Sequence, residues 1–165
     1  MTMQNNLLSG IDENAVLPVQ LKMPYTLTTG KAAGTFLAAL DQKIILGTNC
    51  PKCASVVVPA MDYCGQCGGE NEGFLNMPQV GTITARTETD GKTFIFVRLD
   101  GADIDLLHHF VGKPEGAKVG SRVKAVWPES VETASLITSL SGFEPDSSGS
   151  TGKAEKFTGE VEPIA

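Results

Sequence analysis

Hydrophobic residues follow a helical period in one early segment of the chain. Several alanines surround the apolar positions of this segment, and alanine favours helix. The spacing predicts an amphipathic helix that begins after a capping residue, Thr28 or Thr29, and ends near Lys43. A β-type apolar run begins at residues 44–46. The apolar residues that recur at helical spacing are Phe36, Leu37, Leu40 and Ile44.

From Gln79 onward the apolar residues alternate as they do in β-strands. Residues 81–89 and 93–99 predict two strands, and Asp90-Gly91 between them is typical of a tight hairpin turn. Three more apolar runs predict strands at residues 104–111, 122–127 and 135–140. Five short strands in this order fit a small barrel such as the OB fold, and they also fit other five-stranded barrels.

The remaining segments lack a periodic apolar pattern. Residues 1–28 are expected to form an arm, which is ordered only by a partner or by packing on the body. Residues 146–165 are rich in Ser, Gly, Lys and Glu, and they predict a flexible tail because they can bury little apolar surface. A docking motif in this tail is the alternative, and its apolar residues would be Phe157, Val161 and Ile164.

The four cysteines form two Cys-x-x-Cys pairs, and no cysteine is left over. Cys50 and Cys53 lie in CPKC, and Cys64 and Cys67 lie in CGQC after ten intervening residues. Four thiolates complete the tetrahedron that Zn²⁺ prefers, and the glycines after the second pair suit a tight turn under the metal. The motif leaves no open coordination position, so it predicts a structural zinc in a ribbon over residues 47–77.

Other uses of the cysteines stay open at this point. A four-thiolate iron site has the same ligand geometry. A redox-active pair would open a helix in a βαβ unit, whereas these pairs lie in a Gly- and Pro-rich stretch. A disulfide framework would require a secreted protein, and no apolar signal segment follows residues 1–7. We therefore expect a cytoplasmic protein with reduced thiols.

The bulk composition narrows the class of partner. The chain has 165 residues, which is enough for one ordinary domain or two small ones, and its formal net charge is −6. This negative charge argues against broad binding to nucleic acid phosphates. No apolar run is long enough to cross a bilayer, so we expect no membrane partner.

The order of these motifs resembles a known family. A helix, the CPKC and CGQC pairs, and Gly81-Thr82-Ile83 opening a barrel are similar to the acyl-CoA-associated family that joins a rubredoxin-like zinc ribbon to an OB fold. The resemblance covers roughly residues 29–145. Ala54 departs from it, because the family usually has glycine after the first pair, and the arm and the tail are also departures.

The resemblance implies a mostly β fold and an accessory role. The expected order is a helix with a lead-in strand (29–46), the zinc ribbon (47–77) and a five-stranded OB-fold barrel (78–145). Family members are accessory partners of thiolase-like or ketosynthase-like acyltransferases, which help to assemble the complex and to bind or channel CoA thioesters. Lys113 and Lys118, which share one loop, are the candidate cations for the CoA phosphates.

Two surfaces bear on the choice of partner. The ribbon is small, so the helix residues Phe36, Leu37 and Leu40 are candidates for a partner interface, with packing in the chain's own core as the alternative. A nucleic-acid-binding module is the alternative function. It needs aromatic stacking platforms, and Phe94 and Phe96 share a strand face, but we interpret them as core residues.

No catalytic set is visible in the sequence. His108 and His109 are the only histidines, and adjacent strand residues point to opposite faces. We interpret both as ordinary strand residues. No Ser-His-Asp motif and no Gly-rich phosphate loop is present, so the chain is not expected to be catalytic by itself.

Overall fold

A computed structural model describes residues 21–23, 26, 28–129 and 137–161 of the chain. Helix α1 spans Lys31–Leu40, and short 3₁₀ helices cover Pro114–Gly116 and Ile137–Ser139. The described strands are β1 (Leu46–Asn49), β2 (Val56–Val57), β3 (Glu72–Asn76), β4 (Val80–Thr89), β5 (Lys92–Leu99), β6 (Leu106–His109), β7 (Arg122–Val126), β8 (Gly142–Pro145) and β9 (Glu155–Lys156). No helix in these ranges is long and apolar enough to span a membrane. Most of the predicted arm lies outside the described residues.

The first sheet carries the cysteine turns. Its strand order is β2-β1-β3-β9, with antiparallel neighbours throughout. The chain therefore enters the ribbon on β1, makes the first cysteine turn, returns on β2, and makes the second turn before β3. Strand β2 lies between the two cysteine pairs.

The second sheet closes into the predicted five-stranded barrel. Its order is β6-β5-β4-β7-β8, and the backbone N–H of Val111 donates to the Phe143 carbonyl at 2.7 Å, which joins the two outer strands. The hairpin between β4 and β5 turns at Asp90 and Gly91, with φ values of 49° and 70°. Both central residues are left-handed, as a type I′ turn requires. The mostly β fold with a ribbon and an OB barrel is confirmed.

The last barrel strand lies later in the chain than the sequence predicts. Residues 137–139, within the run predicted as a strand, form a 3₁₀ helix, and the strand is β8 at Gly142–Pro145. Gly142 has a φ of 143°, and a side chain there would collide with the His109 carbonyl. Phe143 is fully buried. The last strand therefore forms where the backbones of β8 and β6 can approach closely. The alternation of apolar residues alone does not reveal this position.

Helix α1 packs into the chain's own core, which differs from the predicted partner interface. Phe36 and Leu40 are 3% and 0% exposed, and they join a core cluster that includes ribbon and barrel residues. Leu37 is half-buried against the same cluster. The ribbon alone is small, as predicted, but barrel residues complete the cover.

Two side-chain hydrogen bonds hold the ends of this helix. The Ala32 N–H donates to Asp62 Oδ1 of the ribbon at 3.1 Å, which caps the start of the helix, where Gly30 provides no side-chain cap. Ser139 Oγ donates to Asp41 Oδ1 at 2.8 Å, which ties the helix end to the barrel. The helix thus fixes ribbon and barrel to each other.

The segment predicted as a flexible tail folds back across the molecule over residues 146–161. Arg122 donates to the Ser150 carbonyl at 2.7 Å, and the Gly152 N–H donates to Asp100 Oδ2 at 2.9 Å. Beyond these contacts β9 pairs with β3, and Phe157 packs against the core cluster. Backbone and side-chain hydrogen bonds from the body hold a segment whose own apolar content is low. We call residues 146–161 the C-terminal strap.

Candidate metal centre

The four cysteine sulfurs lie together at the tip of the ribbon. All four Sγ atoms are within 4.8 Å of one another, with Cys50–Cys67 at 3.4 Å and Cys53–Cys64 at 3.6 Å. A tetrahedral ion with metal–sulfur bonds of about 2.3 Å separates its ligands by about 3.8 Å. The cluster is therefore positioned to bind one metal ion, and its geometry suits zinc or iron.

The two turns that hold the sulfurs have the same backbone geometry. The Ala54 N–H donates to the Cys50 carbonyl at 2.8 Å, and the Gly68 N–H donates to the Cys64 carbonyl at 2.9 Å. Ala54 and Gly68 occupy equivalent left-handed positions, with φ of 59° and 67°. Alanine pays roughly 1–2 kcal/mol in this conformation, which glycine avoids. The departure at Ala54 is therefore accommodated without a change in the turn.

Backbone amides favour the thiolate form of one cysteine in each turn. Burial raises the pKa of Cys50, but the N–H groups of Cys53 and Lys52 and the Cys67 thiol outweigh it and lower that pKa to about 7. The N–H of Cys67 is the largest cause that lowers the pKa of Cys64. Metal ligands must be thiolates, so these amides favour the ligand form of Cys50 and Cys64, whereas the pKa of Cys53 is raised to about 12 by burial and by the neighbouring thiols.

The cluster leaves no open position for a substrate. Within the described ranges no other group of His, Cys, Asp and Glu side chains is placed to hold a metal. Four protein sulfurs complete a tetrahedral shell, whereas a catalytic zinc keeps one site for water or substrate. The arrangement therefore supports a structural role.

The two histidines lie on the barrel strand β6 and do not form a catalytic pair. The His109 N–H donates to His108 Nδ1 at 2.8 Å, so His108 Nε2 carries the proton that it shares with the Ile137 carbonyl at 3.2 Å. Burial lowers the pKa of His108 and keeps the ring neutral. Both ring nitrogens are occupied by main-chain groups, which leaves His108 without a role as a base.

The candidate CoA-binding lysines lie in one exposed loop. Lys113 and Lys118 flank the 3₁₀ helix at Pro114–Gly116, and neither has an ion-pair partner within the part of the chain that is described. Arg86 donates to the carbonyls of Pro114 and Ala117 at 3.0 and 3.3 Å. The loop is thus held by Arg86, while the two lysines remain available to an anion.

The described residues of the barrel do not form a basic groove. Most of its other cations are paired with carboxylates: Arg86 with Glu88, Arg98 with Asp105, Arg122 with Asp100, and Lys124 with Glu144. The core side of β5 is formed by Ile95, Val97 and Leu99, so Phe94 and Phe96 lie on the outer face instead of in the core. An aromatic surface is therefore present, but without the positive field that nucleic acid binding needs.

An apolar cavity on this outer face was not predicted from the sequence. Its volume is about 350 Å³. The signal that could have revealed it is the outward alternation of apolar residues on two adjacent strands. The lining residues are Phe94, Leu107, His108, His109, Ile137, Thr138, Leu140 and Ser141.

Comparison with known proteins identifies the fold. No protein-family model and no curated protein matches the chain. A protein of unknown function from the DUF35 family of Sulfolobus solfataricus superposes with a TM-score of 0.55 and 22% identity, over 71% of this chain and 87% of that one. The fold is that of DUF35 proteins. An Ltp2-ChsH2(DUF35) aldolase chain also has a TM-score of 0.55, with 17% identity over 70% of this chain and 95% of that one.

Proposed function

We propose that this protein is a non-catalytic accessory subunit of a thiolase-like or ketosynthase-like enzyme that acts on CoA thioesters. The observation that carries the proposal is a closed four-thiolate ribbon fused through a shared core to an OB barrel. One solved chain with this fold belongs to an Ltp2-ChsH2(DUF35) aldolase, which supports a role beside a partner enzyme.

The metal in this proposal is a structural Zn²⁺ held by Cys50, Cys53, Cys64 and Cys67. When bound, zinc links the two cysteine turns and so stabilises a ribbon that has few core residues of its own. A cytoplasmic location, where thiols stay reduced, is part of the same proposal. The sulfurs bind the ion, while the rest of the ribbon positions the barrel through α1.

The proposal assigns CoA contact to the loop of Lys113 and Lys118. Two ammonium groups in one loop, with no ion-pair partner among the described residues, suit the phosphates of CoA. Replacing both lysines with alanine should raise the KM for acyl-CoA in the complex and leave kcat near its original value. Lys92→Ala, at an exposed hairpin position, is the matched control and should leave KM unchanged.

The test is reconstitution with a thiolase-like protein from the same source, chosen from the gene next to this one. The isolated chain should catalyse no thiolysis, condensation or retro-aldol cleavage of acyl-CoA. The two proteins should co-purify, and the partner's activity should appear or rise in the complex. Turnover by the isolated chain, or failure of the pair to associate, would refute the accessory role.

A further inference from the structure

The outer face of the β5–β6 hairpin is a continuous apolar surface. Phe94 lies opposite His109, and Phe96 lies opposite Leu107, in two adjacent cross-strand pairs. Phe96 and Leu107 are 36% and 49% exposed, and Ile137, which lines the same cavity, is 41% exposed. We call these five residues the hairpin face. Exposed apolar residues that are contiguous in this way mark an interaction site.

The chemistry of the cavity selects an uncharged occupant. Among the described residues, no lysine, arginine or carboxylate lines it, and burial keeps the ring of His108 neutral, with both ring nitrogens hydrogen-bonded to main-chain groups. Phosphate groups of CoA or of a nucleic acid would find no partner there. The occupant is therefore an aliphatic or aromatic group.

The exposure of the rim favours a protein over a small ligand. Pockets for small molecules enclose most of the ligand's surface. Here the apolar surface continues outside the cavity over Phe96 and Leu107, and the Arg98–Asp105 ion pair lies at the next position along the same strands. A central pocket, an apolar surround and a polar border are the anatomy of a protein interface with an anchor side chain.

We propose that the hairpin face is the docking surface for the partner enzyme, with one apolar side chain of the partner seated in the cavity. This inference rests on the proposed function and specifies where the partner binds. β5 and β6 are the second and third strands of the OB barrel, and the residues at 137–141 belong to the loop before its last strand. OB folds commonly bind their ligands on these strands and this loop.

The test uses the full chain and the purified thiolase-like partner. Leu107→Asp places a charge at the opening of the cavity, and Leu107 is exposed enough for the fold to tolerate it. Its affinity for the partner should fall at least about tenfold. Met61→Asp is the control, because Met61 is 49% exposed in the ribbon, outside the hairpin face, and its affinity should stay within about twofold of the unaltered chain. Metal content and thermal midpoint report the fold of each variant.

The outcomes separate this inference from the proposed function. No binding by the unaltered chain would overturn both, whereas full binding by Leu107→Asp would overturn only the docking surface. If Leu107→Asp misfolds, Ile137→Ser takes its place with the same expected loss. A dimer of the isolated chain that Leu107→Asp dissociates would assign the face to a second copy and overturn the proposal. Decanoyl-CoA binding that Leu107→Asp abolishes while partner binding persists would assign it to an acyl chain, with the same consequence.

Discussion

At the level of single residues, the sulfurs of the four cysteines hold the ribbon together. Cys64 is buried, and replacing it with serine removes one of four ligands. Because metal binding in comparable peptides contributes roughly 10–16 kcal/mol, the ribbon of Cys64→Ser should lose its metal and unfold. Metal analysis and thermal unfolding should show both losses.

Tyr63→Phe is the control for the cysteine variant. Tyr63 is adjacent to Cys64 in sequence, but its side chain is 60% exposed and offers no ligand to the cluster. This variant should keep one metal ion per chain and an unchanged midpoint. A fully metal-loaded, fully stable Cys64→Ser protein would show that the cluster is not the structural centre.

His108 makes stability depend on pH in a defined window. Burial holds its pKa in the folded chain below the ordinary value of 6.5, so the unfolded chain binds the proton more strongly. The contribution of the neutral ring to the free energy of unfolding is therefore fully present above pH 6.5, and it is lost as the pH falls below that value. Chemical denaturation at pH 7.5, 6.5 and 5.5 should show a falling free energy of unfolding.

Two glutamine variants isolate this contribution. His108→Gln retains a donor for the Ile137 carbonyl but cannot be protonated, so its stability should vary less over the window. His109→Gln removes a neighbouring ring that is a smaller cause lowering the pKa of His108, so its pH dependence should shrink less than that of His108→Gln. The carboxylates of Asp100 and Asp105 have pKa values below 3.8 and do not titrate in this range. Equal pH profiles for the unaltered chain and His108→Gln would refute the assignment.

At the level of elements, the stability of α1 depends more on the burial of its apolar side chains than on the hydrogen bonds at its ends. Phe36 is 3% exposed within the shared core, so Phe36→Ala should cost about 3–5 kcal/mol of unfolding free energy. Leu37→Ala is the comparison, because Leu37 is only half-buried and should cost less. Denaturant titration measures both.

This experiment also decides between the two interpretations of the helix. Phe36→Asp should unfold the protein, since a charge would be buried without a partner. If Phe36→Ala kept its original stability and only partner binding fell, the helix would be an interface after all. Leu40 is 0% exposed, and this burial supports the interpretation that the helix belongs to the chain's own core.

At the scale of the whole molecule, Arg122 joins the barrel to the C-terminal strap. Its guanidinium forms a two-point ion pair with Asp100 at 2.6 and 2.8 Å and also donates to the Ser150 carbonyl. Arg122→Met should cost about 1–3 kcal/mol, because it leaves a mostly buried carboxylate with fewer donors. Trypsin should then cut faster after Lys153 and Lys156.

Lys124→Met is the matched control for the strap. Lys124 lies on the same strand, and its ion pair with Glu144 is about half exposed on each side. Such pairs contribute about 0–1 kcal/mol, so stability and the rate of cleavage should change little. Equal rates of cleavage in the two variants would show that Arg122 does not hold the strap.

Features with local causes could be predicted from the amino-acid sequence. The Cys-x-x-Cys spacing specified all four sulfurs of the cluster, because a single turn can present both thiols of a pair to one ion. Asp90-Gly91 specified the hairpin, because left-handed φ values at two adjacent positions are easily adopted by few residues. The period of the apolar stripe likewise specified α1 to within a few residues at each end.

The groups that each apolar surface contacts, by contrast, depend on how the whole chain folds. Alternation divided β5 into two faces, but closure of the barrel determined that Ile95 and Val97 are inside and that Phe94 and Phe96 are outside. Phe36 packs against residues that are far away in sequence, and the strap is hydrogen-bonded to Asp100 and Arg122 of the barrel. These outcomes depend on groups that a local pattern does not contain, because burial and hydrogen bonding are settled by what folding brings near.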